Sequence, residues 1–197
     1  MNKTLRSATG GLLALLLVPF IVGLLACMPV PIGDPERSRV DPKISGIWVA
    51  EKEDKGAAYY AFEPFDKRTW LLTGVRTEEN EGKVVLYKVW LTRLGGEQFM
   101  VWEPKAVYDN DTFTPEVWFV FRMERPNADT LDLHLVIGDD ETFKGVEETR
   151  RAYERVLKKN VRNKQIYDDD PLRMTRMNPE DQSVFEALAE ATVAFDF

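Results

Sequence analysis

The stretch Thr130 to Ile137 alternates without a break. Leu131, Leu133, Leu135 and Ile137 fall on one face, Asp132 and His134 on the other. A period of two marks a half-buried strand and argues against a helix over the same residues. Six further runs of strand character precede it, at 44–50, 57–62, 69–75, 83–93, 98–102 and 116–124. In the fourth, Val85, Val89 and Leu91 share the face of Tyr87; in the sixth, Val117, Phe119, Phe121 and Met123 lie opposite Trp118, Val120 and Arg122. Short turns such as Gly95-Gly96 and Asn127-Ala128-Asp129 join neighbouring runs. Successive strands joined by short turns predict an antiparallel meander that closes into a small barrel or forms a strongly bent sheet. Closure removes the unpaired edges on which open sheets aggregate.

After Ile137 the period becomes helical. Asp140 is placed to cap a helix over about 141–159, with Glu147 and Glu148 early and Lys158 and Lys159 late, the polarity the helix dipole favours. Phe143, Val146, Tyr153, Val156 and Leu157 give it an apolar stripe suited to lying on a sheet. Leu172 to Met177 reads as a short eighth strand. Asn178-Pro179-Glu180-Asp181 opens a second helix over about 179–191, since it combines a capping side chain, an early proline and acids. The expected class is therefore mainly β with C-terminal helices (α+β), in one domain over 44–197. Before it, 27–43 carries Pro29, Pro31, Pro35 and Pro42 among Asp34, Glu36, Arg37 and Arg39, and reads as an extended, solvated tether.

The first 26 residues have a different character. Lys3 and Arg6 form a basic head, Ala8 to Ala26 bears no charge, and Leu12 to Leu17 is nearly all leucine. This is the pattern of an export signal, and Pro19 disfavours a straight spanning helix in its place. Leu24-Leu25-Ala26-Cys27 resembles the lipobox of bacterial lipoproteins. The resemblance implies cleavage before Cys27, a diacylglycerol on its thiol and an acylated amine, such as a palmitate. Met28 at the next position, in place of aspartate, is similar to lipoproteins released to the outer membrane, with the domain in the periplasm. The implied partner is then the membrane itself, held through the N-terminal lipid.

The first strand carries Gly46-Ile47-Trp48, and a helix follows the seventh strand. This arrangement resembles the lipocalin-type barrel, in which a Gly-x-Trp closes the barrel bottom. The resemblance gives Trp48 a packing role. All five tryptophans fall in strand runs. One reading of this surplus is a filled barrel core and girdle; another is an aromatic cavity for one small apolar or amphiphilic molecule. Trp90 shares a face with Lys88 and Thr92, and Trp118 with Arg122, so both read as an exposed patch. With Trp70 they are the candidate ligand or partner surface.

The formal net charge of −7 becomes −9 once Lys3 and Arg6 are removed, which makes nucleic acid a poor partner. His134 is the single histidine and Cys27 the single cysteine, so histidine-rich zinc sites and Cys-His catalysis lack their residues. His134 itself reads as part of a solvated strand face. No phosphate loop or dinucleotide fingerprint occurs, Ser38, Ser45 and Ser183 lie on no nucleophile elbow, and Asp168-Asp169-Asp170 reads as an acidic turn rather than a calcium loop. No catalytic, metal or cofactor residue is expected. The sequence thus points to a non-catalytic envelope protein that presents a surface to a protein partner, or to a lipocalin-like binder of a small apolar ligand.

Overall fold

The computed structural model describes residues 27–51, 57–77, 83–108, 117–138 and 140–178. Eight strands follow in chain order: β1 (Gly46–Glu51), β2 (Ala57–Pro64), β3 (Trp70–Thr77), β4 (Lys83–Leu94), β5 (Glu97–Tyr108), β6 (Phe119–Asn127), β7 (Thr130–Leu135) and β8 (Leu172–Arg176). Each pairs antiparallel with its neighbour in sequence. β8 then returns to β1, with Trp48 opposite Arg176 and Val49 opposite Thr175. The sheet is a closed, up-and-down, lipocalin-like barrel, and the bent open sheet is not formed. All seven expected strands are present, as is the eighth.

The period of two sorts side chains into two cores. Trp48, Phe62, Trp70, Leu72, Val89, Met100, Phe121, Leu131, Leu133 and Met174 point inward and fill the barrel. The intervening Trp90, Phe99, Val101 and Val120 point outward, where they form a second core with residues laid over the wall. Strands β4 to β6 are thus apolar on both faces because both faces are covered.

One cover is α1 (Arg150–Asn160), which sets Tyr153 and Leu157 into the outer core. The helix expected from residue 141 begins only at Arg150. Asp140 does cap, accepting from Thr142 N at 2.8 Å, but only a single 3-10 turn, Glu141–Phe143, follows. Gly145 then takes φ 72°, which ends the turn. Thr149 provides the cap of the true helix, accepting from Ala152 N at 3.3 Å. Phe143 still stacks on Tyr153, with ring centroids 5.5 Å apart, so one apolar stripe is shared by two separate turns of chain. The helix expected at 179–191 lies outside the described residues.

The other cover is the segment read as a tether. Met28 and Ile32 are fully buried, and Met28 forms an antiparallel bridge with Trp118. Trp90 Nε1 donates to the carbonyl of Ile32 at 2.9 Å, Gly33 N donates to Glu154 at 2.8 Å, and Leu91 N donates to Ser38 Oγ at 3.0 Å. Residues 28–43 are a strap bound along the wall. Apolar Met28, Val30 and Ile32 alternate between the prolines and seat it on the outer core.

Candidate ligand site

The ends from which the chain leaves β1, β3, β5 and β7 lie together at one mouth of an up-and-down barrel, and the ends after β2, β4 and β6 lie at the other. The second mouth is shut. Trp48 is fully buried there and its indole N–H donates to the Ile44 carbonyl at 2.7 Å. Trp70, also fully buried, donates to Ser45 Oγ at 3.1 Å. Arg176 donates to the carbonyls of Ser45 and Lys43, which ties β8 to the approach of β1. Every donor named here has an acceptor.

The first mouth is different. Tyr60, Tyr87, Phe119, Leu135 and Leu172 pack on the interior core yet are only partly buried, so water reaches this half of the barrel. Gly74, on the same interior, has no side chain where a Cβ would lie 3.5 Å from Tyr60 and 3.7 Å from Tyr87. Below these rings sits Trp102, 4% exposed. Its ring centroid is 5.6 Å from Tyr60, 5.3 Å from Tyr87, 6.2 Å from Phe62 and 4.8 Å from Phe121. The tilted and edge-on contacts are those that aromatic quadrupoles favour.

Among these rings the indole N–H of Trp102 is buried and has no hydrogen-bond partner. A buried unsatisfied donor costs about 1–3 kcal/mol. Trp48, Trp70 and Trp90 each satisfy theirs, which sets Trp102 apart. The side chains described around it are aromatic or aliphatic, so an acceptor meeting this N–H would be uncharged; a bare carboxylate there would lack a cation. The arrangement suits a ligand with an apolar body and one neutral oxygen acceptor.

The residues singled out from sequence are placed differently. Trp70 belongs to the closed end, Trp90 lies beneath the strap at 2% exposure, and Trp118 is half-buried in the bridge to Met28. The exposed tryptophan patch is therefore absent, because the strap covers the face it would have used. Trp102 closes the run expected at 98–102 and is not among the tryptophans singled out, because Pro104, two residues on, is a residue that ends strands. In fact β5 runs on to Tyr108, and a register shift between Leu86 and Tyr87 accommodates the proline.

On the outer wall Arg122 Nε is also buried without a hydrogen-bond partner, whereas Asp132, His134 and Tyr167 each have structural partners. Asp132 takes two hydrogen bonds from Arg173, at 2.7 and 2.8 Å, which hold its carboxyl below the usual range against the opposing effect of burial. His134 is half-covered rather than solvated. Its ring stands edge-on to Tyr167, which the chain brings back over β7, and its Nε2 lies 3.7 Å from Glu124. Tyr167 donates to the Val161 carbonyl at 2.9 Å, and burial raises its hydroxyl to about 12. Asp168 accepts from Asp170 N at 3.1 Å, as an acidic turn does. Among the described residues, no cluster of three or more metal-ligating side chains occurs, and no helix is long and apolar enough to cross a membrane.

Cys27 is buried at the mouth end of the strap, where burial pushes its thiol up to about 11. No family model, curated protein or solved structure matches the chain.

Proposed function

We propose that this chain is an exported, lipid-anchored barrel of the bacterial outer membrane that binds one small apolar or amphiphilic molecule, with its domain in the periplasm. The observation that carries the binding role is the buried, unpartnered N–H of Trp102 inside a ring of aromatics, below a half of the barrel that water reaches. A neutral carbonyl, ester or ether oxygen would satisfy that donor, while the surrounding rings would contact the apolar body. The anchor rests on Leu24-Leu25-Ala26-Cys27 and the uncharged run before it. Binding, not chemistry, is the activity this site supports.

The other reading, a surface presented to a protein partner, draws less support from the tryptophans singled out for it. Trp70 and Trp90 are buried, and Phe65, at 71% exposure, is the one large exposed hydrophobic side chain among the described residues. A single exposed ring is ordinary for a folded protein.

Protein purified from envelopes tests the binding role by native mass spectrometry and solvent extraction. The expected result is one bound neutral molecule per chain, lost or much depleted in Trp102→Phe, which keeps a ring but removes the N–H. An empty wild-type barrel that also fails to take up a neutral apolar fluorescent probe would overturn it. Growth with labelled fatty acid tests the anchor: label is expected on the wild type and absent from Cys27→Ser.

A further inference from the structure

We infer that the mouth of the barrel at the start of β6 and the end of β7 faces the lipid bilayer, so that the molecule held at Trp102 enters from the membrane and returns to it. The inference rests on the anchored, ligand-binding reading above. It comes from where the strap begins. A lipid on a long flexible tether would leave the domain free to face any direction. Here no free length remains. Met28, one residue after Cys27, is fully buried and exchanges two backbone hydrogen bonds with Trp118, at 2.9 and 3.1 Å. On the other side, the carbonyl of Cys27 lies against Gly138, where a Cβ would come within 2.4 Å of it.

Both contacts belong to the same mouth. Trp118 immediately precedes β6 and Gly138 follows β7, so Cys27 stands where the chain enters one strand and leaves the next. This is the end at which Tyr60, Tyr87 and Phe119 are reached by water, above Trp102. Acyl chains attached at Cys27 would leave from its rim. Each buried methylene adds about 0.8 kcal/mol of membrane affinity, so two or three chains would hold the rim at the lipid surface. The closed end would stand away from it, since the nine residues of β6 span roughly 30 Å along the strand.

The rim also carries Asp168, Asp169 and Asp170, just ahead of β8. Anionic lipid would repel these acids within a Debye length of about 8 Å, which sets the composition for a test. A second observation, independent of the anchor, points the same way. The unpartnered donor of Trp102 lies below this mouth and is best met by the kind of neutral, oxygen-bearing apolar molecule that a bilayer dissolves.

The experiment uses the full lipidated chain in phosphatidylcholine vesicles that carry a nitroxide quencher near the headgroup. The anchor consumes the thiol of Cys27, so a fluorophore attaches only at an added cysteine: Asp169→Cys at the rim, or Ala128→Cys in the exposed turn of the closed end. Strong quenching at 169 with little loss at 128 is expected. Equal quenching, or deeper quenching at 128, in protein whose mass shows an acylated Cys27 would overturn the orientation and leave the anchor standing. A mass showing Cys27 without lipid would overturn both.

Discussion

Arg176 lies over the indole of Trp48, its guanidinium carbon 4.3 Å from the ring centroid. The same side chain donates to the carbonyls of Ser45 and Lys43. One residue of the last strand thus joins the first strand to the turn that leads into it. Ring closure in this barrel depends on a short β1–β8 register, Trp48 to Arg176 and Val49 to Thr175, so side-chain ties there carry unusual weight.

Truncating Arg176 to Ala is expected to remove the cation–π contact and two charge-assisted hydrogen bonds, and to lower stability by about 1–3 kcal/mol. Trp48→Ala should be worse, about 3–5 kcal/mol, because it also opens a cavity in a filled end. Urea unfolding of the two variants against the wild type measures both. A loss at Arg176→Ala of only a few tenths would show that backbone pairing alone closes the barrel.

The fold was legible because strand periodicity is local. Leu131, Leu133 and Leu135 announce their face whatever they pack against, and Gly46-Ile47-Trp48 marks the end that is closed. What escaped was cover. Trp90 and Trp118 look exposed beside Lys88 and Arg122, and only the three-dimensional path of residues 28–33 shows what lies over them. Prolines in that path suggested a solvated spacer, whereas Met28, Val30 and Ile32 between them do the packing. Trp102 escaped for a related reason. Pro104, two residues further on, argues for a strand end, and the extra residue that β5 itself carries at Lys105, between the partners of Leu86 and Tyr87, is not written in the sequence. The helix start moved from 141 to 150 because a good cap at Asp140 does not ensure propagation past Gly145.

Gly74 offers a way to disturb the Tyr60 and Tyr87 rings without touching Trp102. A Cβ there would sit 3.5 Å from Tyr60 and 3.7 Å from Tyr87, which is ordinary contact, so Gly74→Ala should fold and bind nearly as the wild type does. Gly74→Leu drives a branched side chain against the Tyr60 and Tyr87 rings above Trp102 and is expected to exclude the ligand. Binding of a neutral fluorescent apolar probe, with thermal unfolding as the control for folding, separates the two effects. Undiminished binding by a folded Gly74→Leu protein would place the ligand elsewhere.

The Asp132–Arg173 pair gives the fold a specific acid sensitivity. Two hydrogen bonds from Arg173 hold the Asp132 carboxyl below its ordinary value. A carboxyl depressed on folding stabilises while it is ionised, so its contribution is present above about pH 4 and fades as the pH falls through the lowered value. Asp132→Asn should therefore be less stable than the wild type at pH 7, with the two converging in acid. Arg173 is largely exposed to water, so the difference should be modest. Urea midpoints taken at neutral pH and in acid test this; a gap that widens in acid would contradict it.

If Cys27 carries the proposed lipid, its buried thiol sets an order of events. Burial raises it to about 11 in the folded chain, so near pH 8 only roughly one thiol in a thousand is ionised and nucleophilic. A lipid could scarcely be transferred to a thiol in that state, and attachment should precede docking of the strap onto the wall. In folded, unlipidated protein, alkylation of Cys27 should be slow at pH 8. Its rate should rise about tenfold per pH unit towards pH 11, following the thiolate fraction. The urea-unfolded chain should react faster at pH 8 and level off near the ordinary thiol value of about 8.5. Loosening the strap with Met28→Ala should move the folded protein towards the unfolded behaviour, because the side chain that seats Cys27 at the rim is then gone. Equal rates in folded and unfolded chains at pH 8 would show that the cysteine is free to react after folding, and the order of attachment and docking would no longer be constrained.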